Sequence, residues 1–198
     1  YLTKFSKRSN WMSNIFNLLN KMNERLPQNY IPTHYDIYIH VIPDQHPFKS
    51  RVSITFAKNQ DSDEVILDIH ENITVTKVTQ NDIELTYNTE YPKLKIFRSE
   101  KQDISQYPVV IEYMMTPNFS DNKGFYSYDD SFLTEFEANY AQYMFPCFDE
   151  PCNRSSFKVR IRIPSDLNGV SNMPIQTIKL TEEEKELVLQ ALLLPEIL

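Results

Sequence analysis

The chain has 198 residues, of which 41% are hydrophobic and 24% are charged. These values are ordinary for a globular protein with one medium-sized domain plus extensions. No apolar run approaches the roughly eighteen residues that a membrane-spanning helix needs, so the sequence predicts no membrane span. The two cysteines, Cys147 and Cys152, are too few for a disulfide scaffold and lack a zinc-ligand spacing. This favours reduced thiols in an intracellular, cytoplasmic protein.

The net charge of −7 is distributed unevenly along the chain. Residues 1–26 contain five basic residues and one acid, a balance of +4 that leaves −11 for the remainder. The same segment places apolar residues at helical spacing, which predicts a basic amphipathic helical arm. The arm either packs on its own domain or binds a membrane, nucleic acid or protein partner. The candidate partner- or RNA-contacting residues of this arm are Lys4, Lys7, Arg8, Trp11, Lys21 and Arg25.

Residues 27–174 alternate apolar and polar side chains in short runs. The clearest runs are 34–41, 51–56, 64–69, 109–113 and 157–163. A period of two, enriched in β-branched and aromatic residues and interrupted by proline or Asn-Asp, predicts antiparallel strands. At least seven such runs predict a mainly β domain built as a sandwich or saddle.

Residues 175–198 have a different pattern. Thr181 followed by Glu184 matches a helix capping box, and an apolar run from Leu187 to Leu194 follows before Pro195. We therefore predict one possible short strand and then an apolar helical tail over 175–198. The domain organisation predicted from sequence is thus a β-domain with short helical extensions at both ends.

The most informative stretch runs from Thr134 to Pro151 and reads T-E-F-E-A-N-Y-A-Q-Y-M-F-P-C-F-D-E-P. It resembles the segment T-Q-F-E-x-x-x-A-R-x-x-F-P-C-F-D-E-P of zinc aminopeptidases of the aminopeptidase N and puromycin-sensitive kind. Four flanking motifs resemble the same family in the same order: Arg25-Leu26-Pro27, Pro32-Thr33-His34-Tyr35-Asp36, Gly124-Phe125-Tyr126-Ser127 and Ser171-Asn172-Met173-Pro174. The resemblance implies the fold of the amino-terminal β-domain of these enzymes.

The resemblance also implies where such a domain meets a substrate. In the family, the glutamine of T-Q-x-E lines the pocket for the first substrate residue, and the nearby glutamate helps to anchor the free amine. Here Glu135 replaces that glutamine, Glu137 is retained, and Gln142 replaces the family arginine. We assign Glu135 and Glu137 as an altered peptide-amine pocket. Asp149 and Glu150 are expected to have a structural role, accepting backbone N–H groups or pairing with Arg154.

The zinc-binding motif of the family, H-E-x-x-H with a distant glutamate, does not occur in this sequence. His70-Glu71 begins such a motif, but Thr74 occupies the position of the second histidine. The other histidines, His34, His40 and His46, show no spacing that brings ligands together, and the G-x-M-E-N motif is absent too. The sequence therefore predicts no metal, no cofactor and no catalytic residue in this chain.

Three functional hypotheses follow. The first is a non-catalytic binding factor that docks on a large protein or ribonucleoprotein assembly, most specifically a ribosome-bound silencing or dormancy factor contacting rRNA and ribosomal proteins. The second is an amino-terminal fragment of a zinc-dependent aminopeptidase. The third is a regulatory subunit that pairs with a full-length aminopeptidase. The change of pattern after Pro174 favours the first hypothesis over the second.

Overall fold

A computed structural model describes residues 25–100, 102–150 and 152–192 of the chain. Within these ranges the chain forms thirteen β-strands and one short 3-10 helix, Ala141–Tyr143. The strands are β1 (Tyr30–His40), β2 (Phe48–Lys58), β3 (Glu64–Asp68), β4 (Ile73–Gln80), β5 (Ile83–Glu84), β6 (Tyr87–Glu90), β7 (Lys93–Phe97), β8 (Val109–Met115), β9 (Gly124–Tyr128), β10 (Ser131–Glu135), β11 (Ser156–Pro164), β12 (Ile175–Lys179) and β13 (Glu184–Leu192).

The strands form one large sheet and two small ones. The large sheet has eight strands in the order β12-β13-β11-β1-β2-β8-β4-β5. A three-stranded sheet has the order β3-β7-β6, and β9 and β10 form a separate hairpin. Neighbouring strands are antiparallel except β1 and β11, which run parallel over His34–His40 and Ser156–Arg162. A parallel pair needs a long connection, and the chain between β1 and β11 includes both small sheets.

Strand β1 shows why the sequence folds into layers. Tyr35, Ile37 and Ile39 are buried, whereas the alternate residues between them are only partly buried. A strand that buries one face gives this period of two. The buried faces of the large sheet and the three-stranded sheet meet in one hydrophobic core. The three-stranded sheet contributes Leu67 and Ile96 to this core. The prediction of a mainly β, antiparallel-rich sandwich is therefore confirmed.

The predicted apolar helix after residue 180 is wrong. Residues 184–192 form β13, which pairs antiparallel with both β11 and β12 and extends the large sheet past the predicted boundary at residue 174. Leu187 is buried, and its Cα lies opposite that of Ile161 in β11. Backbone pairing and burial against β11 outweigh the local helical pattern in this segment.

The capping signal that suggested a helix has a different use. The Thr181 hydroxyl accepts hydrogen bonds from the backbone N–H groups of Glu183 at 3.2 Å and Glu184 at 3.0 Å. These are the bonds expected of a helix cap, but here they close the turn between β12 and β13. A short hydroxyl side chain stabilises either kind of turn, so the motif did not distinguish them.

The predicted basic arm lies mostly outside the described residues. Of its six candidate contact residues, only Arg25 is described, and its side chain is exposed. Next to it, Leu26 is buried and donates its backbone N–H to the Glu150 carboxylate at 2.7 Å. Within the described ranges, no helix is long and apolar enough to cross a membrane.

Candidate functional site

The two predicted pocket residues lie together at the end of the β9–β10 hairpin. Glu135 is the last residue of β10, and Glu137 follows two residues later. Both side chains are exposed, and Glu135 Oε1 accepts the backbone N–H of Glu137 at 2.8 Å. Among the described residues, no lysine or arginine forms an ion pair with either carboxylate. The structure therefore brings two carboxylates together that are free to meet an added cation.

A glycine holds this hairpin close to the 3-10 helix. Gly124 pairs with Glu135 and has a φ of +67°, a conformation that favours glycine. A Cβ at this position would lie 2.2 Å from the Cβ of Tyr143 and 3.0 Å from the carbonyl oxygen of Tyr140. Any larger residue would push the hairpin away, so Gly124 fixes the distance between Glu135 and the helix.

The turn after β3 holds the 3-10 helix from the other side. The His70 backbone N–H donates to the carbonyl of Gln142 at 3.1 Å, and the imidazole stacks on the Tyr143 ring at 3.7 Å between centroids. The Asn72 side-chain amide donates to the carbonyls of Tyr143 at 2.8 Å and Thr116 at 2.7 Å. His70 therefore packs against the Tyr143 ring and binds the backbone of the 3-10 helix.

The Pro-Cys-Phe-Asp-Glu segment is fastened to β3 at Asp68. The backbones of Asp68 and Cys147 exchange two hydrogen bonds, of 2.8 and 3.1 Å. The buried Asp68 carboxylate then accepts the Lys93 ammonium at 2.6 Å and the Asp149 backbone N–H at 3.2 Å. Next to this pair, the Tyr35 hydroxyl accepts the backbone N–H of Phe148 at 3.1 Å.

The two acids of this segment have the predicted structural role. The Asp149 carboxylate accepts the backbone N–H of Gln142 at 3.1 Å and that of Ala141, at the start of the 3-10 helix. Glu150 accepts the backbone N–H of Leu26, while Arg154 is exposed. The prediction that Asp149 and Glu150 bind backbone N–H groups is confirmed.

Burial raises the pKa of the Asp149 carboxyl to about 6. The nearby Asp68 carboxylate contributes to this rise, and the N–H groups of Gln142 and Ala141 offset part of it. Burial likewise raises the pKa of the Cys147 thiol well above its usual value. The surroundings of Asp149 therefore disfavour its charged form more than solvent does.

Sequence reasoning identified the acids but missed the groups that position them. Asp68, Asn72 and Tyr35 lie far from residues 134–151 in sequence, and no local pattern links them. Asp68 gave one weak signal, because it is an acid that ends a strongly apolar strand. Gln142, which replaces the family arginine, donates its side-chain amide to the nearby Asn139 carbonyl at 3.2 Å.

The described histidines have ordinary partners. His34 bonds to the Ser156 hydroxyl at 2.7 Å, His40 to the Glu184 carboxylate at 2.8 Å, and His46 packs against Phe119. The part of the chain that the structure describes contains no group of three His, Cys, Asp or Glu side chains arranged to hold a metal ion.

The fold and the motifs agree with a family comparison. A family model described as the Peptidase M1 N-terminal domain matches residues 31–190. The chain therefore belongs to the Peptidase M1 N-terminal domain family. The match continues through β12 and β13, so the change of sequence pattern after Pro174 is not a departure from the family.

Individual relatives match through the same domain. The puromycin-sensitive aminopeptidase of Caenorhabditis elegans is 31% identical over 77% of this chain, and endoplasmic reticulum aminopeptidase 1 of Rattus norvegicus is 29% identical over 77%. In both, the match spans only 18% of the relative's own length. What is matched is therefore the amino-terminal domain of much longer enzymes.

Solved structures share the fold at lower identity. The M1 zinc metallopeptidase of Deinococcus radiodurans superposes with a TM-score of 0.70 at 18% identity, over 83% of this chain and 40% of that one. Legionella pneumophila aminopeptidase A gives a TM-score of 0.67 at 22% identity, over 86% of this chain and 20% of that one. At this identity the likeness shows the fold alone.

Replacing the partly buried Asp149 with asparagine, its neutral isostere, should stabilise the protein more at high pH than at low pH. The folded pKa of Asp149 lies above its ordinary value of 3.8, so its proton is held more tightly in the folded state, and this contribution is lost as pH rises through about 6. We expect the advantage of Asp149→Asn in free energy of unfolding to grow by about 1 kcal/mol between pH 5 and pH 8.

Urea unfolding of both proteins at the two pH values measures this difference. Asp130→Asn, in the exposed turn of the β9–β10 hairpin, is the matched control and should show no such growth. If Asp149→Asn raises the free energy of unfolding equally at both pH values, or more at pH 5, the raised pKa of Asp149 is contradicted.

Proposed function

We propose that this domain serves the substrate side of an M1 aminopeptidase, where Glu135 and Glu137 bind the free amine of a peptide. The observation that supports the proposal is the pair of exposed carboxylates at the end of β10, without a cationic partner among the described residues. An ammonium group fits such a pair, because charge-assisted hydrogen bonds are stronger than neutral ones.

The rigidity of the site supports the same role. Gly124 sets the hairpin against the 3-10 helix, and Asp149 holds the amino-terminal N–H groups of that helix. A site that is held in place before binding loses less conformational entropy when a ligand arrives. The carboxylates of Glu135 and Glu137 therefore meet an amine from a fixed backbone.

Peptide cleavage is assigned to a zinc-bearing domain and not to these residues. The relatives matched by sequence are aminopeptidases, and the Deinococcus radiodurans protein that shares the fold is a zinc metallopeptidase. A zinc-bound water needs three protein ligands and an open position. We propose that this domain supplies amine recognition, while the chain by itself does not hydrolyse aminoacyl reporters even with added zinc.

A chimera tests the role of Glu137. Residues 25–192 replace the matched segment of the worm puromycin-sensitive aminopeptidase, and kcat/KM is measured on an aminoacyl reporter. We expect Glu137→Gln to lower kcat/KM roughly ten- to a hundredfold, because a hydrogen bond to a charged group is lost.

The control for the chimera is Glu182→Gln, an exposed acid in the β12–β13 turn, which should leave kcat/KM unchanged. Equal effects of the Glu137 and Glu182 changes would contradict amine recognition at β10. The isolated 198-residue chain, assayed with zinc, should give no turnover.

The segregation of charge along the sequence favours a second candidate. A non-catalytic cytoplasmic factor would use the basic residues 1–26 to contact rRNA, while the acidic remainder contacts ribosomal proteins. The change of sequence pattern after Pro174 no longer supports this candidate, since the family match extends through residue 190. The charge of the arm is the argument that remains.

Sedimentation tests the second candidate. At low salt the full chain should co-sediment with ribosomes, and either raised salt or deletion of residues 1–26 should release it, because phosphate contacts depend on salt. A chain that stays in the light fractions at low salt would rule the candidate out. So would a deletion variant that sediments like the full chain.

A further inference from the structure

The loop between β11 and β12 contains the one asparagine of the sequence that precedes a glycine. The chain has only two glycines: Gly124 follows Lys123, whereas Gly169 follows Asn168. The backbone nitrogen after an asparagine can attack the side-chain amide, and it does so most readily when it belongs to glycine, because no Cβ hinders its approach. By sequence, Asn168-Gly169 is therefore the most reactive asparagine pair in the chain.

The structure leaves this pair exposed and unbonded. Asn168 and Gly169 are exposed, and Val170 beside them is 99% exposed. Among the described residues, no hydrogen bond involves any of these three, and the nearest backbone bonds in the loop are donated by Leu167 and Met173. An exposed segment without hydrogen bonds changes conformation at low free energy. The Gly169 nitrogen is therefore able to reach the Asn168 side chain without unfolding of the sheet.

Several other asparagines have the side-chain nitrogen held in place. The Asn72 nitrogen donates to two backbone carbonyls at 2.7 and 2.8 Å, that of Asn118 to a carbonyl at 3.3 Å, and that of Asn59 to a carbonyl at 3.0 Å. These bonds must break before the side chain can turn towards the next nitrogen, and the residue that follows each of the three is larger than glycine. Neither restraint applies to Asn168.

Packing against β13 explains why a glycine occupies position 169. A Cβ at Gly169 would lie 2.3 Å from Cδ1 of Leu187, so the loop backbone lies directly on that side chain. Leu187 is 6% exposed, and its Cα lies opposite those of Ile161 in β11 and Thr177 in β12. A larger residue at 169 would have to displace Leu187. The contact that covers Leu187 thus keeps a reactive pair in the loop.

We propose that Asn168-Gly169 is a self-modifying site, at which the chain converts Asn168 to aspartate and isoaspartate without an enzyme. The Gly169 backbone nitrogen loses its proton and bonds to Cγ of Asn168, while the bond from Cγ to Nδ2 breaks and ammonia leaves. Water then opens the five-membered succinimide ring. Hydrolysis at Cγ gives aspartate, and hydrolysis at the backbone carbonyl carbon gives isoaspartate, in which the main chain runs through the side-chain carbons.

The products change the end of the large sheet in two ways. Both add one negative charge to a chain that already carries −7. Isoaspartate also adds one atom to the main chain between positions 168 and 169, which shifts Gly169 relative to Leu187. Because Leu187 is buried where β11, β12 and β13 meet, loss of this cover exposes apolar surface and weakens that end of the sheet. The reaction is irreversible, so the fraction of modified chain increases with age.

Ageing of the full 198-residue chain in warm, mildly alkaline buffer tests the proposal. Peptide mapping by mass spectrometry follows each asparagine, and a protease that cuts before aspartate but not before isoaspartate separates the two products. Asn172 is the internal control, since it is exposed in the same loop and its side-chain nitrogen is unbonded, but methionine follows it. We expect conversion at Asn168 to be at least about tenfold faster than at Asn172, and faster at higher pH.

Two variants locate the reacting atoms. Gly169→Ala should slow conversion about tenfold, because its Cβ hinders the attack. It should still fold, since the atom that it meets is the end of the flexible Leu187 side chain. Asn168→Asp carries the added charge without the added main-chain atom. The aged, charge-shifted fraction, separated by ion exchange, should therefore unfold at a lower urea concentration than Asn168→Asp.

Three results would overturn the proposal or part of it. Conversion at Asn168 that is no faster than at Asn172 rules out the site, and this comparison uses the unaltered chain. Conversion of Gly169→Ala at the original rate rules out attack that depends on glycine. A charge-shifted fraction that unfolds at the same urea concentration as Asn168→Asp rules out the effect on β13.

Discussion

The site depends on the attachment of residues 141–150 to the end of β3. Asp68 makes this attachment with both its backbone and its buried carboxylate, which bonds to Lys93 and to the Asp149 backbone. A buried carboxylate is costly unless its oxygens have partners, and both oxygens of Asp68 have one. Breaking any of these bonds would leave a buried polar group unpaired, which costs free energy.

The position of the acidic pair follows from this attachment. The Asp149 side chain holds the first N–H groups of the 3-10 helix, and the helix meets Gly124 of the hairpin at Tyr143. Gly124 in turn pairs with Glu135. A continuous series of contacts therefore joins Asp68 in the three-stranded sheet to the carboxylate of Glu135. Burial raises the pKa of the Asp149 carboxyl to about 6, so the charge of this group costs free energy in the folded state.

The sequence predicted the strands and the acidic pair because both are encoded locally. Period-two alternation in β1 marks a half-buried strand, and the motif around Glu137 resembles its family over consecutive residues. The sequence failed where two local structures share one signal: Thr181 followed by an apolar run suits a helix or a hairpin, and pairing with β11 decided between them. It also missed Asp68, because its partner Asp149 lies 81 residues away.

Membership of the Peptidase M1 N-terminal domain family and the exposed acids support a division of labour. Under the proposed function, the β-domain presents two carboxylates to a peptide amine, and hydrolysis is assigned to a zinc-bearing domain. The rigidity of residues 141–150, which hold the hairpin in place, can be measured on the isolated chain. Residues 141–150 have little regular structure, and loops of that kind usually open locally with small free energies. Here their amides bond to buried groups instead.

Native-state hydrogen exchange of the backbone amides of Gln142, Cys147 and Asp149 measures this rigidity directly. If Asp68 and Asp149 fasten the segment as described, these amides exchange only on global unfolding, with the same free energy as those of Ile37 and Val52 in the core strands. Exchange of the three amides at least about a hundredfold faster than the core amides would contradict the account.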